Sequence, residues 1–193
     1  MEVDSRRFGR LISDMLDINN TLLTIIDIQG NLALAMHDKE SLFKGVKQLI
    51  KGVTALEIPI ILTEQNPKGL GPTLPEIRKV LPDVMAIPKM NFNCCDENAF
   101  MDALKTSGKK QVLIAGIESH ICVYQTAAAL LDMGYEVEAV TDAVASRFPE
   151  NKKLALKKME RMGIEMTGVE MALFELLKTA EHEKFREIVK IIK

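Results

Sequence analysis

The chain has 193 residues, of which 47% are hydrophobic and 27% charged, a composition typical of a globular domain. Its 25 Lys and Arg residues nearly balance 27 Asp and Glu residues, so the net charge of −2 gives no reason to expect a nucleic-acid or membrane-surface partner. Three cysteines are too few for a disulfide framework and favour a reducing compartment.

The sequence predicts neither a signal peptide nor a membrane span. The first residues contain no apolar stretch of the kind found in a signal peptide, and no apolar run approaches the roughly 20 residues of a membrane span. We therefore expect a cytoplasmic protein without a membrane partner. Residues 1–193 are predicted to form a single domain, with 1–18 as an N-terminal extension or helix.

Short apolar runs alternate with longer stretches of helical spacing along the chain. The runs rich in β-branched residues are Leu22–Ile26, Ile58–Leu62, Val84–Ile87, Val112–Ala115 and Val137–Val140. Apolar residues without polar alternation are typical of strands covered on both faces, and intervening helices indicate parallel pairing. The sequence therefore predicts an α/β fold.

The predicted helices have identifiable beginnings and ends. One begins near Asp38, and another enters through Asp96 and ends at Gly108. A third runs from about Ser119 to Met133, where Gly134 ends it. Further helices are expected before Gly163, over Ala172–Leu177 and over Phe185–Ile192, whereas the Pro- and Gly-rich segment Gln65–Pro75 is expected to be a loop bordering a site.

Three reactive side chains follow the ends of predicted strands. Asp27 comes directly after the first run, Lys89 follows the third, and Cys122 lies in the helix opening after the fourth. Ligands of an open parallel sheet bind at the carboxyl ends of its strands, so these residues are expected to share one rim. An acid, a lysine and a cysteine at one rim suit acyl transfer through a thiolate.

The same residues also have structural interpretations. A cysteine beside valine in an apolar helix is often a buried small hydrophobe, and an aspartate after a strand is often a turn former. Lys89 is equally open to interpretation as a surface lysine. In an active site formed by these three residues, Lys89 and the helix N-terminus are expected to lower the pKa of the Cys122 thiol.

The order of Asp27, Lys89 and Cys122 resembles the cysteine hydrolases of the isochorismatase-like superfamily. Further matches are the segments 63–72 (TEQNPKGLGP) and 141–147 (TDAVASR), and the tail from Glu181 to Lys193 is similar to the isochorismatase domain-containing subgroup. The resemblance extends from about Asn19 to the last residue.

This resemblance implies a six-stranded parallel Rossmann-like sheet with helices on both faces. It implies a catalytic triad with Cys122 as nucleophile, Asp27 as base and Lys89 in support. It also implies a cis peptide bond between Ile117 and Glu118, with the backbone N–H groups of Glu118 and Cys122 forming an oxyanion hole. A small-molecule substrate and a homo-oligomer are the expected partners.

Two departures narrow the expected reaction. The branch that cleaves isochorismate typically lacks the nucleophilic cysteine, so Cys122 favours hydrolysis of an amide-like C–N bond. Nicotinamidases of the superfamily carry a metal-binding Asp-x-His after the second strand, where this chain has Thr63-Glu64-Gln65. The sequence therefore predicts an amidase with no metal and no cofactor, and it does not identify the substrate.

Four residues are weaker candidates for the substrate pocket. Gln29, Leu70, Phe92 and His120 lie near the reactive positions, although turn formation or ordinary packing explains each equally well. Cys94 and Cys95 receive no role. The alternatives to a hydrolase are a non-catalytic binding or scaffold member of the fold and a thiol redox protein using one of the cysteines, although a Cys-x-x-Cys pair is lacking.

Overall fold

The computed structural model describes residues 15–193, so most of the predicted N-terminal extension lies outside the described residues. Six parallel strands form one sheet in the order β3-β2-β1-β4-β5-β6. The strands are β1 (Thr21–Ile26), β2 (Ile60–Gln65), β3 (Ala86–Lys89), β4 (Gln111–Ile117), β5 (Glu136–Ala145) and β6 (Glu165–Thr167). The predicted α/β class and six-stranded parallel sheet are confirmed.

Helices cover both faces of this sheet. They are α1 (Gly30–Leu34), α2 (Lys39–Ala55), α3 (Pro67–Leu70), α4 (Pro75–Arg78), α5 (Asn98–Ser107), α6 (Tyr124–Asp132), α7 (Pro149–Met162), α8 (Val169–Leu177) and α9 (Phe185–Ile192). Helices α2, α8 and α9 pack with one apolar cluster, and α5, α6 and α7 with the other. Strands β1 and β4 are buried throughout, which explains their unalternated apolar sequence.

The observed bounds differ from four sequence-based assignments. Strand β2 continues to Gln65 and β5 continues to Ala145, whereas the apolar runs end at Leu62 and Val140. The helix predicted from Ser119 to Met133 is divided into a wide π turn at Ser119–Val123 followed by α6. Part of the predicted loop is the short helix α3.

Strand β6 produces no apolar run in the sequence, because it has three residues and begins with the exposed Glu165. Its partner β5 supplies the pairing, with Glu138 opposite Glu165. Edge strands of this length depend on their neighbour rather than on their own sequence.

The carboxyl ends of β1, β3 and β4 bring the reactive segments together. Strands β1 and β4 lie side by side, with Ile26 opposite Gly116. A Cβ atom at Gly116 would lie 2.1 Å from the carbonyl oxygen of Ile26, and its φ of +123° is one that side chains rarely adopt. Glycine at this position therefore allows the two strand ends to approach, immediately before the Ile117–Glu118 bond.

Over residues 15–193, every helix is too short or too polar to cross a membrane.

Near the amino end of β5, the side chain of Glu138 lies among three other carboxylates. Burial, followed by the charges of Glu175, Glu165 and Glu136, raises the pKa of Glu138 from 4.5 to about 7. The folded protein therefore binds this proton more tightly than the unfolded chain does. This contribution to stability is complete below pH 4.5 and is lost as the pH rises to about 7.

We predict that Glu138→Gln raises the free energy of unfolding above pH 7. The gain is about 1–2 kcal/mol, less than the whole shift in pKa implies, because water screens the partly exposed side chain. Urea unfolding at pH 5 and pH 8 measures it, with the exposed Glu160→Gln as a matched control. An equal change in both variants at pH 8 would contradict the assignment.

Candidate active site

A buried ion pair lies at the carboxyl edge of the sheet. The Nζ atom of Lys89 lies 2.7 Å from Oδ2 of Asp27, and the two side chains are 0% and 1% exposed. Asp27 adopts a φ of 54°, in the left-handed region that aspartate tolerates better than most residues. Its backbone N–H donates to the carbonyl of Thr63 at 3.3 Å, so this turn is fixed against β2.

The ammonium group of Lys89 is fully engaged by protein atoms. Besides Asp27, it donates to Oε1 of Gln65 at 2.6 Å and to the carbonyl of Asn91 at 3.1 Å, and the carbonyl of Phe92 lies at 3.5 Å. An ammonium has three protons to donate, and these partners use all of them. Lys89 therefore holds charge and geometry within the site. Burial has the largest single effect and lowers the pKa of Lys89, but the negative charge of Asp27, with smaller effects of Cys94 and Cys122, leaves the pKa raised overall.

The other oxygen of Asp27 is bonded from β2. The Thr63 hydroxyl donates to Oδ1 of Asp27 at 2.8 Å, and the Thr63 residue is fully buried. Strand β2 thus contributes a contact that the apolar run ending at Leu62 did not reveal.

Cys122 lies in the π turn that follows β4, and 6% of the residue is exposed. The peptide bond between Ile117 and Glu118, at the start of this turn, is cis, as the resemblance implies. The charges of Asp27 and Lys89 both act on the Cys122 thiol, the first raising its pKa and the second lowering it. Asp27, Lys89 and Cys122 therefore form one electrostatic unit.

The expectation that the pKa of Cys122 is lowered is wrong for the protein without substrate. Burial, followed by the negative charge of Asp27, raises the pKa of the thiol to about 12. The positive charge of Lys89 acts in the expected direction, but it does not compensate for the other two. The thiol is therefore protonated at neutral pH, and its proton must leave during attack.

The side-chain carboxylate of Glu118 has a structural role of its own, because it binds Arg147. It accepts from the backbone N–H of Arg147 at 2.9 Å and from the Arg147 Nε at 3.1 Å. Glu118 is 4% exposed, so this bidentate contact anchors the start of the π turn to the end of β5.

Gln29 ties the loop after β2 to the end of β1. Its side-chain amide donates to the carbonyls of Gln65 and Gly71 at 3.1 and 2.7 Å and accepts from the backbone N–H of Gln65 at 2.6 Å. The residue is fully buried. Its contacts position the loop and leave no amide N–H for a substrate, so the expected substrate contact gives way to this role.

Leu70 and Phe92 each contact residues near the site through the backbone carbonyl. The carbonyl of Leu70 packs against Gly30, where an added Cβ would lie 2.1 Å from it. Phe92 directs its carbonyl toward Lys89, and more than half of the residue is exposed. The role of both residues as pocket walls stays a prediction.

His120 is held on the other side of the π turn. Its Nδ1 lies 3.0 Å from Oγ of Ser146, and its Nε2 lies 3.3 Å from Nδ2 of Asn151. The two ring nitrogens therefore contact the residue that follows β5 and the first turn of α7. A substrate contact by His120 also stays a prediction.

Cys94, which received no role from the sequence, contacts the site. Its Sγ lies 3.9 Å from Oγ1 of Thr63, and its backbone N–H donates to Oγ1 of Thr126. Burial raises the pKa of Cys94 to about 11, with Lys89 acting in the opposite direction. Cys95 is buried beside it with a pKa of about 12, raised by burial first and then by Cys94 and Asp96.

Glu64, in the Thr63-Glu64-Gln65 segment after the apolar run of β2, holds the following loop. Glu64 accepts from the backbone N–H and the hydroxyl of Thr73 at 2.7 and 2.6 Å, which holds the loop after β2 against the sheet. Across residues 15–193, no group of three or more His, Cys, Asp or Glu side chains is arranged to hold a metal ion.

The sequence model of the Isochorismatase domain matches residues 21–171. This chain belongs to the isochorismatase family. Isochorismatase domain-containing protein 2 of Xenopus laevis is 32% identical over 187 residues, covering 97% of this chain and 88% of that protein.

Solved structures of relatives share the fold. The MAR1 ribonuclease of Caenorhabditis elegans has a TM-score of 0.87 and 34% identity, covering 92% of each chain. YcaC from Pseudomonas aeruginosa, solved with hexane-2,5-diol and covalent acrylamide, has a TM-score of 0.87 and 27% identity, covering 94% of this chain and 93% of that one. Escherichia coli YcaC, described as an octameric hydrolase of unknown specificity, has a TM-score of 0.83 and 26% identity, covering 91% and 95%.

We predict that Lys89→Met lowers the free energy of unfolding by about 3–5 kcal/mol, because Asp27 is left as an unpaired buried charge. The double variant Asp27→Asn/Lys89→Met removes both charges and is expected to be more stable than Lys89→Met. Urea unfolding of the two single variants and the double variant measures the coupling. Additive losses would show that the two side chains do not act as a pair.

Proposed function

We propose that the protein is a metal-independent cysteine hydrolase that cleaves a small amide-like C–N bond. Cys122 is the nucleophile, Asp27 transfers protons and Lys89 holds the charge balance. The observation that carries this proposal is the buried ion pair of Asp27 and Lys89 at the carboxyl edge of the sheet, whose charges act on the buried Cys122 thiol. Membership of the isochorismatase family supports a hydrolase.

In the acylation step, Asp27 accepts the proton of Cys122 as the sulfur forms a bond to the substrate carbonyl carbon. The resulting oxyanion is held by the backbone N–H groups of Glu118 and Cys122. Asp27 then passes its proton to the nitrogen as the C–N bond breaks, so ammonia or an amine leaves and a thioester remains.

Deacylation reverses these roles with water. Asp27 takes a proton from a water molecule as its oxygen attacks the thioester carbon, and the carboxylic acid product forms when the C–S bond breaks. The sulfur regains the proton from Asp27. Throughout both steps Lys89 keeps its three donated contacts, which hold Asp27 in place and offset its charge.

The raised pKa of Cys122 favours this proton transfer over a standing thiolate. The proton resides on the sulfur near neutral pH, so attack proceeds when the proton moves to Asp27. Such a thiol is protected from indiscriminate oxidation or alkylation until a carbonyl compound occupies the pocket.

Relatives supply independent support for a reactive residue on this fold. YcaC of Pseudomonas aeruginosa was solved with covalent acrylamide, a small amide with an electrophilic double bond. Acrylamide is therefore a suitable probe for this chain, because it tests nucleophilicity and amide binding together.

We predict that acrylamide forms a single covalent adduct at Cys122. Intact-protein and peptide mass spectrometry locate it, and Cys122→Ala should lose the adduct while its urea unfolding curve stays close to that of the parent. Cys95→Ala is the matched control, because Cys95 is also buried, but its pKa responds to burial, Cys94 and Asp96 rather than to Asp27 or Lys89. A screen of small amides for ammonia release then identifies substrates.

The outcomes separate the proposal from its alternatives. Amide hydrolysis that persists at full rate in Cys122→Ala would overturn it. An unreactive Cys122 in the folded protein would favour a non-catalytic binding member, and an oxidant-induced disulfide without hydrolysis would favour a thiol redox protein. Cleavage of RNA by the parent and by Cys122→Ala alike would favour the activity named for the Caenorhabditis elegans relative.

We expect a small-molecule substrate, no cofactor, no nucleic-acid partner and a cytoplasmic location. We also propose a homo-oligomer, supported by the octamer described for Escherichia coli YcaC. Helix α7 presents exposed apolar side chains, Leu154 and Met162, that suit a subunit interface.

A further inference from the structure

Thr63 is a buried hydroxyl that neither the sequence nor the family resemblance assigns a role. It lies at the carboxyl end of β2, beside the turn that carries Asp27. Its hydroxyl has one proton, and the nearest acceptor is Oδ1 of Asp27 at 2.8 Å. Because an ionised carboxylate only accepts hydrogen bonds, Thr63 must be the donor in the resting protein.

This hydrogen bond distinguishes the two oxygens of Asp27. Lys89 lies on Oδ2 at 2.7 Å, while Thr63 occupies Oδ1. The Thr63 oxygen also accepts a long contact from the thiol of Cys94, whose Sγ lies 3.9 Å away. These two contacts of Thr63, with Asp27 and with Cys94, hold the Asp27 carboxylate in one orientation from the β2 side of the site.

We propose that Thr63 is a positioning residue that sets the proton affinity of Asp27 and hence the pH range in which Cys122 reacts. This inference rests on the proposed function. A donated hydrogen bond stabilises the carboxylate relative to the carboxylic acid, so Thr63 keeps Asp27 ionised and able to accept the thiol proton at lower pH. The titratable groups that face Asp27 are Lys89, Cys122 and Cys94.

Transfer of the Cys122 proton to Asp27 during attack predicts a recognisable pH profile. Transfer of one proton from sulfur to carboxylate leaves the total number of protons unchanged, so the reaction rate is independent of pH across the neutral range. The rate falls on the acid side, where a second proton binds to the carboxylate. The position of this acid limb reports how readily Asp27 takes up that proton.

The test measures the rate of acrylamide addition at Cys122 against pH by peptide mass spectrometry. Thr63→Val removes the hydroxyl with little change in volume and is expected to move the acid limb upward by about 1–2 pH units, the size of a hydrogen bond to a charged group. Thr63→Ser keeps the donor and should restore the parent profile. If Thr63→Val does not fold, Thr63→Ala takes its place in the comparison.

Thr24→Val is the matched control on the neighbouring strand. The Thr24 hydroxyl is also buried, and it has no hydrogen-bond partner among residues 15–193. Its replacement should leave the profile unchanged, which separates loss of the Asp27 contact from loss of any buried hydroxyl.

The outcomes for Thr63 and for the proposed function are distinguishable. An unmoved acid limb in Thr63→Val, or equal shifts in Thr63→Val and Thr63→Ser, would overturn the role of the hydroxyl while leaving Cys122 as nucleophile. Addition of acrylamide that persists in Cys122→Ala would instead overturn the proposed function. An upward shift in Thr63→Val with restoration by Thr63→Ser supports both.

Discussion

The buried ion pair between Asp27 and Lys89 is the interaction on which the rest of the site depends. Two opposite charges, both almost free of solvent, lie 2.7 Å apart at the end of the sheet. Burial of either charge alone is costly, so each requires the other together with its hydrogen bonds. Thr63 and Gln65 on β2 supply such bonds, one to each partner.

The fold brings these groups together through strand order rather than sequence proximity. Strands β1 and β2 lie side by side near the centre of the sheet, β3 pairs with β2, and β4 lies on the other side of β1. The turn after β1 therefore receives a lysine from one direction and a cysteine from the other. Gly116 permits the close approach on the β4 side, where a side chain would meet the backbone of Ile26.

The pair also determines the chemical state of Cys122. The negative charge of Asp27 and the dry surroundings keep the thiol protonated, although a cation lies nearby. The site is therefore organised for proton transfer at the moment of attack. This differs from a site in which a helix N-terminus and a free cation maintain a thiolate.

Much of the fold and the three reactive residues follow from the sequence. Residues directly after buried apolar runs lie at the carboxyl edge of a parallel sheet, and this rule brings Asp27, Lys89 and Cys122 to one edge. The same rule would have found Thr63 and Gln65 had β2 been extended beyond Leu62. The polar residues Thr63, Glu64 and Gln65 end the apolar pattern before they end the strand.

Other features depend on tertiary contacts that no local pattern contains. The raised pKa of Cys122 results from burial and from a carboxylate distant in sequence. Gln29 has the spacing of a pocket residue but uses its amide on the backbone of the facing loop. Strand β6 is formed by pairing with β5 and carries little signal of its own.

The most direct test is the rate of iodoacetamide alkylation at Cys122 against pH, in the parent and in Asp27→Asn. The account predicts a rate that is independent of pH near neutrality in the parent. In Asp27→Asn it predicts a rate that rises about tenfold per pH unit, as for an isolated thiol below its pKa. The pKa of the Cys122 thiol is expected to be lower in this variant than in the parent, because the negative charge of Asp27 is gone. Alkylation rates that rise with pH in the same way in both proteins would contradict proton transfer from Cys122 to Asp27.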